Sequence, residues 1–300
     1  MFISACESKS FRIGPGDLLP TRLRKLFYLS GIDDYNEIRL RCGQPLVIVT
    51  AKDRFYLTDK GRLIKCKESG IRVKPDDIDE AMDILTNSSV YSYKDEIKNG
   101  FITAKGGHRI GICGCVSVDG GFIREISGLN YRFAKEIYGC ADEIFQMVHN
   151  GGNILSTLII SPPGCGKTTI LRDLVRQISD SGFNVSVVDE RQEIAAMNNC
   201  ETGFDLGVNT DVISLCSKSR GMMMMLRSMS PDVIAVDEFD FYADGNLVKE
   251  ILNSGVSLFA TLHGTDIRKS VVEDYMNKFK CVVVLSDKNG PGTIERCYCV

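Results

Sequence analysis

The sequence predicts an α/β fold for the second half of the chain, built on a mostly parallel sheet and preceded by a smaller α+β unit. Three observations carry this expectation. From residue 154 onward, apolar runs at 155–160, 185–188, 233–236, 257–262 and 281–285 alternate with helical patterns, as buried parallel strands under covering helices do. Before residue 135 the apolar runs are shorter and are broken by turn signals around one well-marked helix. The length of 300 residues, at roughly 150 per domain, suggests two domains. The expected division is 1–135 and 136–300.

Composition narrows the class. The apolar fraction of 44% and charged fraction of 25% are those of an ordinary globular protein. Thirty-six basic against 39 acidic residues leave a net charge of −3, which excludes a generally basic nucleic-acid coat protein. No apolar stretch nears the roughly 18–20 residues of a membrane span, and the opening MFISACESKSFRIGPGD is not a signal peptide. A cytoplasmic protein is expected. Twelve cysteines without a CxxC pair, alongside three His, give no zinc framework. The CxC pairs Cys113/Cys115 and Cys297/Cys299 could pinch a metal or oxidise if they lie on strands. The reading adopted is small buried hydrophobes in a reducing compartment.

In chain order, residues 52–74 hold eight basic residues against three acidic ones and a Lys60-Gly61 turn, read as the solvated face of a hairpin. Pro75 opens a helix with Ile78, Ala81, Met82 and Leu85 at helical spacing. Segments 101–105 and 108–115 flank Gly106-Gly107, a two-residue hairpin signal, and Asp119-Gly120-Gly121 marks another turn. A helix over 140–150 ends at Gly151-Gly152. Further on, Ile170, Leu171, Leu174, Val175 and Ile178 mark a helix stopped by Gly182. The tetrad Met222–Met225 reads as helix and gap filler rather than a metal box.

The chemistry concentrates in Ser161-Pro162-Pro163-Gly164-Cys165-Gly166-Lys167-Thr168-Thr169. Lying between a buried strand and an amphipathic helix, its backbone N–H groups can wrap a triphosphate. Lys167 would reach the β/γ-phosphates and the Thr168 hydroxyl would ligate Mg²⁺. Sixty-nine residues after Thr168, an apolar run ends in Asp237-Glu238. An acid there can hold the hydration shell of Mg²⁺, and the next carboxylate can polarise an attacking water. Asp189-Glu190-Arg191 ends another strand, so Glu190 and Glu238 are both candidates for the base. His263, at the end of a further strand, can sense the γ-phosphate or the lytic water. ATP and Mg²⁺ are the expected cofactors.

The segments EIRLRCGQPL (37–46), GGHRIGICG (106–114), SPPGCGKTTILRDL (161–174), VVDERQEIA (187–195), LRSMSPDVIAVDE (226–238) and FATLHG (259–264) resemble the stage III sporulation protein AA family. That family is similar to the secretion and type IV pilus ATPases, with a RecA-like or AAA+-like core. The resemblance implies a mother-cell cytoplasmic ATPase at the membrane face of a channel assembly, forming a ring-shaped homo-oligomer, a hexamer, and meeting membrane-embedded stage III sporulation channel proteins. It further implies that Asp189-Glu190, Asp237-Glu238 and His263 line the nucleotide, and that Arg109, Arg124 and Arg132 are the arginines to reach it. Two departures stand out. Ser161 replaces the first glycine of the phosphate-loop pattern, and Phe239-Asp240 replaces the family's Ile-Gly, which alters the turn presenting Glu238. A nucleic-acid-stimulated ATPase and a nucleotide-gated scaffold with little turnover are the competing readings.

Overall fold

The computed structural model describes residues 14–117, 123–150, 152–197, 201–239, 247–248, 250–264 and 278–299. The Asp119-Gly120-Gly121 turn, Gly151 and Asp240 lie outside the described residues. The chain divides into two units, 1–135 and 136–300.

In the N-terminal unit, α1 (Thr21–Ser30) precedes β1 (Glu37–Arg41), β2 (Val47–Val49), β3 (Arg54–Leu57), β4 (Leu63–Ile64), α2 (Pro75–Thr86), α3 (Lys94–Lys98), β5 (Phe101–Ala104), β6 (His108–Val116) and β7 (Ile123–Arg132). The seven strands form one antiparallel sheet in the order β4-β3-β2-β1-β7-β6-β5. Strand alternation sends Ile38, Leu40, Ile110, Ile112, Leu129 and Tyr131 to one face, where Leu23 and Phe27 of α1 and Ile78, Ala81, Met82 and Leu85 of α2 complete a core. Pro75 does open α2: the Asp77 carboxylate accepts the Lys74 N–H at 2.7 Å and the Arg22 Nε–H of α1 at 3.0 Å. The β5–β6 hairpin differs from expectation by one residue. Ala104 pairs with His108, so the loop holds Lys105 as well as Gly106 and Gly107, both at positive φ. The eight basic residues of 52–74 are all exposed, consistent with a solvated hairpin face, and Lys65 meets Asp53 at 2.8 Å.

The C-terminal unit runs α4 (Asp142–Val148), β8 (His149–Asn150), β9 (Asn153–Ile154), β10 (Thr157–Ser161), α5 (Lys167–Asp180), β11 (Val185–Asp189), β12 (Thr210–Ser214), α6 (Lys218–Ser228), β13 (Val233–Val236), β14 (Ser257–His263), β15 (Cys281–Ser286) and β16 (Thr293–Cys299). Its main sheet has the order β12-β11-β13-β14-β10-β15-β16, parallel except for the antiparallel β15–β16 pair. Every residue of β10, β11, β13 and β15 is buried. Ile159 packs with α4 and α5, while its neighbours Leu158 and Ile160 pack with Met222 and Met225 of α6. Cover on both faces explains why these strands read as continuous apolar runs. The helix expected over 140–150 is shorter, because His149 and Asn150 pair with Asn153 and Ile154 as a small hairpin. Two outer strands carry no apolar run: β12 is half-buried along its length, and β16 includes exposed Glu295 and Arg296.

Candidate active site

The sheet order sets the C-terminal ends of β10, β14, β13 and β11 side by side, the usual ligand crevice of such sheets. β10 ends at Ser161 and α5 begins at Lys167, leaving 162–166 as a loop. Gly164 and Gly166 adopt φ of +77° and +84°, where a side chain is strained. Ser161, fully buried, has no such φ. Its hydroxyl donates to the Pro162 carbonyl at 2.8 Å, so the serine fits at this position. The Cys165 carbonyl accepts Gly292 N–H at 2.9 Å, bringing the β15–β16 loop onto the phosphate-loop segment. Thr169 contributes its carbonyl to the Cys140 thiol at 3.7 Å. The first N–H groups of an α-helix have no partner within it, and α5 opens after Gly166 without a side-chain cap.

Around this loop the strand ends converge. The Thr168 hydroxyl donates to Asp237 Oδ2 at 2.5 Å, and the Thr261 hydroxyl donates to Asp237 Oδ1. Thr261 Oγ1 also accepts Glu238 N–H at 2.8 Å, and the Thr261 carbonyl accepts Phe239 N–H at 2.8 Å. Glu238 itself sits at φ +50°, a left-handed conformation that a non-glycine residue adopts at a cost of about 1–3 kcal/mol. Buried Phe239 and these two bonds hold it there.

The Glu238 carboxylate meets His263 Nε2 at 2.6 Å and accepts a hydrogen bond from Arg191. The other ring nitrogen, Nδ1, lies 3.1 Å from Lys167 Nζ. An ammonium can only donate, so Nδ1 accepts and Nε2–H donates to Glu238, which makes His263 neutral in this arrangement. Burial pushes the Glu238 carboxyl up. The His263 hydrogen bond and the charges of Arg191 and Lys167 outweigh it and hold the group below the usual carboxylate range. Burial also lowers the Lys167 pKa, against the opposing pull of Asp237 and Glu238.

The second acidic pair is differently occupied. Asp189 accepts the backbone N–H groups of Glu193, Ile194, Ala195 and Ala196 at 2.8, 3.1, 2.7 and 3.3 Å. Arg172 of α5 bonds the carbonyls of Ile194 and Glu193 at 2.9 and 2.7 Å and lies 3.6 Å over the Phe204 ring. Glu190 pairs with Lys218 Nζ at 2.5 Å. A cleft lined by Asp189, Glu190, Lys218, Asp237 and Glu238 separates the two acidic pairs.

Sequence reasoning missed Thr261, Arg191, Lys218 and Arg172. Two of them carried a signal: Thr261 shares a strand face with His263 two residues on, and Arg191 directly follows the acidic pair. Lys218 and Arg172 gave none. Arg109, Arg124 and Arg132 belong to β6 and β7 of the N-terminal unit and are exposed. Arg109 lies 3.8 Å over the Phe101 ring and stands opposite Arg132 in the strand register.

Comparison with known proteins agrees with this architecture. The ATPase DotB of Legionella pneumophila matches at a TM-score of 0.53 and 14% identity, over 88% of this chain and 74% of that one. The pilus retraction motor PilT, solved with bound ADP, matches at 0.57 and 15%, over 87% and 76%. The C-terminal unit therefore has a RecA-like α/β fold. Stage III sporulation protein AA of Bacillus subtilis (strain 168) is 33% identical over 279 residues, covering 88% of this chain and 87% of that protein. The family model for sporulation stage III, protein AA, matches residues 14–299. With N-terminal sheet, phosphate loop and both acidic strand ends inside that match, the chain belongs to the sporulation stage III protein AA family.

Proposed function

We propose that the chain binds MgATP at residues 161–169 and hydrolyses it. The observation that carries this reading is the hydrogen-bonded run Lys167–His263–Glu238 beside the Thr168–Asp237 contact, all on adjacent strand ends. Lys167 and the α5 N-terminus would hold the phosphates. Thr168 and Asp237, two hard oxygen donors already converging on one point, fit Mg²⁺, which would neutralise charge on the phosphate oxygens. Glu238, charged and aimed by its strained backbone, would take the proton of the attacking water. His263 would break its bond to Lys167 when a γ-phosphate draws the lysine away, and so report nucleotide state. Asp189 would shape the loop after β11, leaving Glu190 as the alternative base.

By analogy with its family, this ATPase would act as a ring, a hexamer, beside membrane-embedded stage III sporulation channel proteins on the mother-cell cytoplasmic side. Arg109, Arg124 or Arg132 would complete a neighbouring subunit's site. Among the described residues no helix is long and apolar enough to cross a membrane, so membrane contact would be peripheral. The net charge of −3 disfavours nucleic acid as the partner. One observation favours a second reading, a nucleotide-gated scaffold: His263 and Arg191 each bond one oxygen of the Glu238 carboxylate, which would have to give up a contact before it serves as a base.

Steady-state phosphate release tests the proposal. Wild type should turn over ATP with Mg²⁺, and Lys167→Ala should fall to background, because it removes the charge that offsets the phosphates. Equal turnover in both proteins would refute the phosphate-loop assignment, and binding without turnover in wild type would favour the scaffold.

A further inference from the structure

Outside the nucleotide crevice, a sulfur cluster gathers on β15, β16 and α4. Cys281 and Cys299 are directly opposed in the antiparallel register, and Cys297 precedes Cys299 by two residues on the same strand. All three therefore share one face, the face that α4 helps to cover. Cys281 is fully buried, Cys297 half-buried and Cys299 exposed. The ligand atoms of the three lie within 4.8 Å of one another. Cys297 Sγ is 3.8 Å from Cys281 Sγ, 3.4 Å from Cys299 Sγ and 3.2 Å from the Met147 thioether of α4. Glu143, four residues before Met147, adds a negative charge that acts on Cys297. The structure joins Cys281 to Cys299 as a disulfide, which corrects the expectation that the cysteines serve only as small hydrophobes.

We propose that in the reduced chain Cys281, Cys297 and Cys299 form a site for a thiophilic d¹⁰ cation, Zn²⁺ or Cu⁺. Sulfurs bound to one such ion at about 2.3 Å stand about 3.8 Å apart, close to the two spacings Cys297 already makes. Thiolate and thioether donors select these ions over Mg²⁺ or Ca²⁺. Opening the Cys281–Cys299 bond requires a dithiol reductant, which supplies two electrons and two protons and becomes a disulfide itself. Cation binding then displaces the thiol protons to solvent. The site ties the last strand of the sheet to β15 and α4. The opposite end of the same β15–β16 hairpin touches the phosphate-loop segment through Gly292, so the cation would anchor a hairpin that borders the nucleotide crevice. The site does not depend on ATP being the nucleotide there.

The experiment uses the full-length protein, reduced and freed of reductant under argon. It is titrated with Zn²⁺ against a chromophoric chelator and with Cu⁺ against a bidentate copper(I) chelator, with Co²⁺ as an optical probe of thiolate ligation. One equivalent of Zn²⁺ or Cu⁺ should bind, with a thiolate-to-cobalt charge-transfer band, and the two arms identify the ion. Cys297→Ser and Cys299→Ser should each weaken binding at least about tenfold, as loss of one of three thiolates does. Cys115→Ser, in the other CxC pair, should change nothing. Circular dichroism confirms that each variant is folded, and neither serine fills a fully buried position. Absence of stoichiometric binding in the reduced wild type, or affinity unchanged in folded Cys297→Ser, would overturn the proposal.

Discussion

The same dipeptide, Asp-Glu, ends two neighbouring strands, β11 and β13, which pair in parallel register from Val185 and Val233. Their surroundings make them different devices. Asp189 faces four backbone N–H groups of the loop that follows it, a fold-building task. Asp237 faces two hydroxyls, one of them Thr168 in the first turn of the phosphate-loop helix. Glu190 is paired with a lysine, whereas Glu238 is held at positive φ between a neutral histidine and an arginine. Identical residues at identical strand positions thus acquire a structural or a proposed chemical role from what the neighbouring segments supply.

The sharpest way to break this contrast is Glu238→Gln. Loss of the proposed general base should retain ATP binding and lower turnover by about 10²-fold or more, measured by phosphate release beside nucleotide binding. Trapping of ATP by Glu190→Gln instead would reverse the two roles. Next comes Asp189→Asn. An amide replaces one acceptor oxygen with donors that face N–H groups, so folding stability should drop by about 2–3 kcal/mol, read from the urea midpoint. A neutral outcome would deny Asp189 its loop-building task.

Glu190→Gln should be milder. The Glu190–Lys218 pair is partly exposed, so turnover should change less than about tenfold and stability by about 1 kcal/mol or less. The smallest effect concerns pH. The Glu238 carboxyl is depressed in the fold, so its contribution to stability is complete above the unfolded carboxylate pKa and is lost as pH falls through the lower folded value. Relative to wild type, Glu238→Gln should therefore show a shallower loss of stability on the acid side, below about pH 4.5. An identical acid limb in both proteins would mean that His263 and Arg191 do not hold the charge.

Much of this was readable in one dimension because the physics is local. Continuous apolar runs identify β10, β11, β13, β14 and β15, since strands covered on both faces have no polar side to show. Pro75 and helical spacing identify α2, and Gly164 and Gly166 identify the phosphate-loop segment through backbone conformations that only glycine adopts easily. Strands β12 and β16 were not readable, because outer strands half-covered or exposed carry mixed residues with no run. The extra residue in the β5–β6 loop depends on cross-strand register, which Gly106-Gly107 does not specify by itself.

By itself, then, the sequence determined the fold class, the phosphate-loop segment and the set of acidic and basic candidates, all of which follow from periodicity and short-range chemistry. Only the tertiary structure decided what each carboxylate contacts. Thr261 reaches Asp237 from 24 residues away and Arg191 reaches Glu238 from 47, and Lys218 neutralises Glu190 from 28. Such pairings arise from the strand order β11-β13-β14-β10, which brings remote segments within hydrogen-bond distance. The same holds for Cys281 and Cys299, whose meeting requires β16 to run antiparallel beside β15. Hydrogen bonds and charge interactions act over a few ångströms of space rather than along the chain, so the partners that set a group's role are invisible until the chain is folded.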